Sequence, residues 1–364
     1  MTDDSKTMLG WSLGALAFLA LLIVLTFAIP GLRKTPVMMA GKKATPKDFF
    51  TPEQQKVLLP IGSSKYDPTD PPKNFVLAKN QKDALIAAGY DTCVTTDGFG
   101  DQENLMGCFC ENAPAARAIL DPQISIVQPW NTWSAILGFT PFGILIMIIL
   151  IWQAAGNQPP QDNLMVNNYF YSLFYAYLAI FLGPASAMFH IGLRNYGGWF
   201  DSFSIHLLFG FTLVYNLTRM WMRSGGWVTK SFLGLNAQRW LFLIFFIVST
   251  VIVEIICSPK VAPSMRFWFD LIIGGLALII QGLVFWARTW HSVPPGGGWW
   301  FIGAFIAFGA AVFIWAMSWT ACPWCAPRGF QGHAVWHLLC GLGAFFLYMY
   351  FRREGEPKDI VINS

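Results

Sequence analysis

Apolar residues in this chain gather into long unbroken runs rather than the strict alternation of a half-buried strand. A bilayer span needs about 20 predominantly apolar residues, and eight stretches qualify, at roughly residues 10–29, 131–152, 164–193, 201–222, 240–257, 266–287, 299–319 and 330–351. Each predicts a helix, because inside hydrocarbon every backbone N–H and C=O must find its partner within the segment. The pattern breaks once, over residues 31–129, which are rich in Lys, Pro, Asp and Thr, as in "YDPTDPPKNFVLAKNQKDALIAAGYDTC". There we expect one or two short helices, "QKDALIAAG" being the best, and no large independent core.

The division that follows is an N-terminal transmembrane anchor (1–30), an extracytoplasmic segment (31–129), a seven-helix core (130–352) and a cytoplasmic tail (353–364). The fold class is an all-α polytopic membrane protein. Composition agrees: 55% hydrophobic and 12% charged, with 17 Trp and 32 Phe among 364 residues, lies outside the soluble globular range. The formal charge of +4 comes without a basic stripe, so it indicates Lys and Arg at the membrane edge and no nucleic-acid partner. The first run follows "MTDDSKT", acidic where a secretory signal is basic, and no small-residue cleavage site follows it. It reads as a retained anchor.

Loop charges set the expected orientation. Arg219, Arg223, Lys230, Arg239, Arg288, Arg352 and Arg353 share one side if the spans alternate, against Arg194, Lys260, Arg266 and Arg328 on the other. The positive-inside rule then places both termini in the cytoplasm and residues 31–129 outside, although Arg33, Lys34, Lys42 and Lys43 pull the other way. This arrangement puts Cys93, Cys108, Cys110, Cys257, Cys322 and Cys325 on or near the oxidising side. Disulfides are expected there, in a pairing that the spacing does not determine.

The chemistry sits in "GPASAMFHIGLRNYGGWFDSFSIHLL" and "HAVWH". Ser186 and His190 are four apart near the outer end of the third span. A short turn, "RNYGGW", leads to Asp201, and His333 with His337, also four apart, opens the last span. Spacing of i, i+4 puts each pair on one helical face. Three imidazoles from two helices make a tripod suited to zinc with a fourth position for water, whose pKa such a site lowers to about 7. Asp201 would take and return the proton of that water, and Ser186 would donate to the developing oxyanion. The competing account is three polar groups that merely pack between helices. Ionisable groups within a membrane are functional by default, which favours the metal site. Glu254 and Asp270 read as polar groups of helix packing, and His291 as a solvated loop residue.

"SxxxH", an Asp eleven residues beyond that His, and "HAxWH" at the start of the last helix resemble the alkaline ceramidases, of the seven-helix hydrolase superfamily that also holds the adiponectin receptors. "CFCE" (Cys108–Glu111) and "QPWNTWSAILGF" (Gln128–Phe139) resemble the approach to that family's first helix, so the resemblance covers about residues 108–351. It implies zinc held by His190, His333 and His337, with Asp201 on the zinc-bound water and Ser186 beside the scissile carbonyl. The implied reaction is hydrolysis of a ceramide-like membrane lipid to a sphingoid base and a fatty acid. Some members also bind calcium through acidic residues. Here Glu111 is left to ligate Ca2+ while the later Glu position is Gln128. Two rival functions remain open: a lipid-sensing receptor on the same zinc scaffold, and a thiol–disulfide oxidoreductase using Cys322 and Cys325 of "CPWC".

Overall fold

A computed structural model describes residues 3–28, 36–58, 77–90, 119–120, 126–157, 163–167, 169–223, 231–232, 235–256, 297–318 and 331–353, with isolated helical positions between 272 and 282. The described chain is almost wholly helical: α1 (Asp3–Ala28), α2 (Pro46–Phe49), α3 (Pro52–Leu58), α4 (Lys79–Ala87), α5 (Pro129–Trp152), α6 (Leu164–Asn167), α7 (Tyr169–Gly192), α8 (Asn195–Arg223), α9 (Ala237–Ile256), α10 (Gly297–Met317) and α11 (Gly332–Arg353). Two-residue hairpins, Met38–Met39 with Lys42–Lys43 and Ser231–Phe232 with Leu235–Asn236, are the strands among the described residues. In the first, Ala40 and Gly41 both take positive φ (50° and 77°), the backbone that a two-residue hairpin turn demands.

Four described helices, Pro129–Gly156, Tyr169–Gly192, Gly297–Met317 and Gly332–Arg353, are long and apolar enough to cross a membrane. Large apolar side chains such as Ile148, Phe245, Ile247, Ile255, Phe305 and Phe313 face outward, where only lipid would accept them. The chain is an all-α polytopic membrane protein. Exposed Trp130 and Trp133 lie at one end of α5, and Trp152 at its other end. Exposed Trp299 opens α10, in the residue placement of two interfacial belts.

Small residues set the order of the helices. Gly143 lies against Ala176 and Ile180, and Gly183 against Ala135 and Ile136, so α5 and α7 pack antiparallel with backbones in close approach. Ser134 with His337, Gly138 with Gly341 and Phe142 with Phe345 make α5 and α11 parallel neighbours. Phe308 beside Gly343 and Phe346 beside Gly303 make α10 and α11 antiparallel. α8 turns back along α7, α9 packs on α8 through Phe211 and Phe242, and Phe209 of α8 reaches Phe308 of α10. Pro184 inside α7 removes the N–H that would bond the Ile180 carbonyl, and Thr140 Oγ1 of α5 stands 3.5 Å from that oxygen. At the end of the bundle away from the histidines, Arg352 donates to Gln153 Oε1 (3.0 Å) and Asn163 Nδ2 to the Phe351 carbonyl (2.6 Å).

Two expectations change. The run 164–193 is two helices, Leu164–Asn167 and Tyr169–Gly192. "RNYGGW" is not a turn: α8 begins at Asn195, and the reversal is made by Leu193 (φ 52°) and Arg194. Gly197 there serves packing, since a β-carbon on it would stand 2.8 Å from the Met188 carbonyl oxygen.

The described part of the polar segment packs as well. "QKDALIAAG" supplies α4, and Val37, Phe49, Phe50, Leu77, Leu85 and Tyr90 form an apolar cluster with Val127, Phe189 and Leu193. Gln81 ties it together: its Oε1 accepts from the Ala78 N–H (2.8 Å) and its Nε2 donates to the Phe49 carbonyl. The core here is thus shared with the end of α7 rather than independent. Asn195 N–H donates to the Gly89 carbonyl (3.2 Å), which fastens this cap to the start of α8.

Candidate metal centre

His190 lies in the last turn of α7, and His333 and His337 on the first two turns of α11. Because α5 packs against both helices, it brings them to one level. The three side chains are 0%, 3% and 0% exposed, and one potential ligand nitrogen from each lies within 4.8 Å of the other two. Ring centroids are separated by 5.0 Å (His190–His333), 5.1 Å (His190–His337) and 4.5 Å (His333–His337).

The outer nitrogens of His190 and His337 are held by residues of α5 and its approach. Ser134 Oγ donates to the Asn131 carbonyl (3.1 Å), which uses its one hydrogen; the contact of 2.9 Å to His337 Nδ1 is therefore donated by the ring. Gln128 Oε1 can only accept, so His190 Nδ1 donates to it at 2.6 Å. In both rings the N–H points away from the cluster and Nε2 points into it. His190 Nε2 lies 3.3 Å from His333 Nε2, and the His333 ring stacks on Trp336 with 14° between planes. Imidazoles whose outer N–H groups are fixed by acceptors and whose inner nitrogens converge are the donor set that zinc takes in an open site. The residues fit a metal ion.

Of the residues singled out beside the histidines, Ser186 joins the cluster: it is 1% exposed and its Oγ stands 3.4 Å from His337 Nε2. Asp201 lies in the second turn of α8, half-buried. It is not one of the described groups whose ligand atoms meet within 4.8 Å, and its carbonyl accepts from Ser204 Oγ (2.7 Å). Glu254 accepts from the Trp199 indole N–H at 2.8 Å, a packing contact between α8 and α9. Glu111, Asp270, His291 and the six cysteines expected on the outer side lie outside the described residues; Cys340 in α11 is a free thiol.

Gln128 entered the sequence reading only as the residue at a calcium-pattern Glu position, and Asn131 and Ser134 not as individuals; none was expected to hold a histidine. Their signal was the placement of polar residues at 128, 131, 132 and 134 at the opening of an apolar helix, all of them buried. Comparison of the chain with protein-family models, curated proteins and solved structures finds no match.

Proposed function

We propose that the protein is a zinc-dependent hydrolase of the amide bond in ceramide-like lipids, releasing a sphingoid base and a fatty acid. The observation that carries this reading is the buried triad of His190, His333 and His337, with Ser186 Oγ against it. Zinc held there would supply a Lewis acid and an acidified water. The chain's own residues have the remaining roles. Ser186 is placed to donate a hydrogen bond to the oxygen of a carbonyl brought to the cluster. Asp201, across the tight α7–α8 reversal from His190, takes a proton from the attacking water and returns it to the leaving amine.

The depth of the triad supports a lipid substrate. Trp130 and Trp133 are exposed on the same turns of α5 whose Ser134 holds His337, so the triad lies at the level where interfacial tryptophans sit. A lipid amide, at the junction of head group and chains, occupies that level. The choice of a ceramide-like substrate rests on the resemblance to the alkaline ceramidases, and the placement of the site on the extracytoplasmic side rests on loop charge.

The test is turnover by purified, zinc-loaded protein of a ceramide and of an ester lipid with matching chains. Fatty acid release from the ceramide, lost in His337→Ala, is the expected result. Binding of either lipid without release of product would replace the hydrolase with a lipid sensor.

A further inference from the structure

We propose that Gln128 is the positioning residue of the metal centre, orienting His190 by a direct hydrogen bond, and that it does so without calcium. The proposal rests on the metal-binding reading of the triad. Gln128 holds His190 twice: its backbone N–H donates to the His190 carbonyl at 3.0 Å, and its Oε1 accepts from His190 Nδ1 at 2.6 Å. The first contact fixes residue 128 against the last turn of α7, and the second fixes the ring. Both residues are 0% exposed, so water does not compete for either bond.

A second donor, Asn131 Nδ2, reaches the same Oε1 at 3.3 Å. A carbonyl oxygen has two lone pairs, and these two donors occupy both. Calcium binds through carboxylate and carbonyl oxygens. An amide oxygen committed to an imidazole and a carboxamide has nothing left to offer it. The position where a ceramidase-like pattern carries a carboxylate for calcium therefore faces inward in this chain, toward a metal-ligating ring. Asn131 Nδ2 keeps the amide oxygen turned toward the ring, and an oxygen there accepts the Nδ1–H, which holds the tautomer that turns Nε2 to the cluster.

The support continues outward. Val127 N–H donates to the Ile191 carbonyl at 3.0 Å, and the Val127 side chain is buried in the cap cluster beside Phe189 and Leu193. Backbone carbonyls at the end of α7, which lack partners within the helix, thus bind the strand of chain that delivers Gln128. Removing the side-chain oxygen leaves a buried ring N–H without its acceptor and frees the ring to turn.

Zinc affinity of the purified full-length chain, measured by competition with a chromophoric chelator, tests this. Gln128→Ala should weaken zinc binding about 10–100-fold, the usual cost of losing such a partner. Gln128→Glu keeps an acceptor at the same reach and should stay within a few-fold of wild type. In a His190→Ala background, adding Gln128→Ala should change affinity little, because the residue acts only through that ring. Wild-type affinity should be the same in calcium-free buffer and with about 1 mM calcium, the range of weak calcium modules.

Wild-type affinity in Gln128→Ala would overturn the proposal. So would a tenfold response of the wild type to calcium, or a tenfold loss on adding Gln128→Ala to His190→Ala. Should Gln128→Ala fail to fold, Gln128→Glu decides: zinc binding lost in a folded Gln128→Glu protein overturns the positioning role. A wild-type chain that binds no zinc at all would instead overturn the metal reading itself, which separates the two failures.

Discussion

Gly341 of α11 stands so close to Gly138 of α5 that a β-carbon on it would lie 1.7 Å from the Gly138 carbonyl oxygen. Gly341 is one turn beyond His337 and Gly138 one turn beyond Ser134, so this backbone contact sets the distance between the ring and its acceptor. The obstacle is backbone, which cannot swing aside as a side chain can. We expect Gly341→Ala to push the two helices apart, costing at least the 1–3 kcal/mol typical of overpacking, and to lower the zinc content of the purified protein. Gly309 of α10 has nothing within 4 Å of its added β-carbon, so Gly309→Ala is the matched control. Equal melting temperature and zinc content in Gly341→Ala and Gly309→Ala would refute the positional role of the contact.

The purified chain should carry about one zinc per molecule, since three histidines and a water complete an open site. His333→Ala or His337→Ala should remove most of the metal, because two ligand nitrogens bind far more weakly than three. Ser134→Ala removes one partner of His337 Nδ1 and should weaken binding by at most about 10–100-fold. Metal analysis after dialysis checks all three; full occupancy in both histidine variants would defeat the ligand assignment.

The parts of this site legible in the sequence are those that a helical period reports. His333 and His337, or Ser186 and His190, share a face because four residues make about one turn, and the structure brings both pairs to one cluster. Contacts that cross from helix to helix carry no such period. Nothing in the spacing of Gln128 and His190, 62 residues apart, announces a hydrogen bond between them. Gly197 and Gly198 looked like a turn because glycine is commonest there, whereas Gly197 serves close packing of α8 on α7. The cap was hidden by composition, its few apolar residues being scattered among prolines and charges that gave no repeat to read.

That cap offers a test of its own. Phe49 and Leu85 are 2% and 0% exposed in the cluster that contains Val127, the neighbour of Gln128. Truncating a buried Leu or Phe to Ala typically costs about 2–5 kcal/mol. Leu85→Ala and Phe49→Ala should therefore lower the melting temperature, and they should also reduce zinc affinity although neither residue approaches the histidines. Loss of stability with zinc affinity unchanged would show that the cap merely covers this end of the bundle and does not support the triad.

Asp201 and Ser186 separate chemistry from metal binding. Asp201, near the start of α8, is not among the described groups whose ligand atoms converge, and in the proposed function it is the base rather than a ligand. General-base catalysis contributes about 10²–10⁴-fold, so Asp201→Asn should lose activity on that scale while keeping its zinc. Ser186→Ala removes a single donor and should cost about 10²–10³-fold at most. Its Oγ lies 3.4 Å from His337 Nε2 and, as a hydroxyl, is no match for an imidazole as a zinc ligand; zinc content should again hold. Cys322→Ser combined with Cys325→Ser should leave hydrolysis measurable, since neither thiol has a part in this chemistry. Turnover and metal content measured on the same preparations decide among the roles. Zinc lost from Asp201→Asn would make that carboxylate a ligand, and turnover abolished in the double cysteine variant with its zinc intact would move the reactive centre to "CPWC".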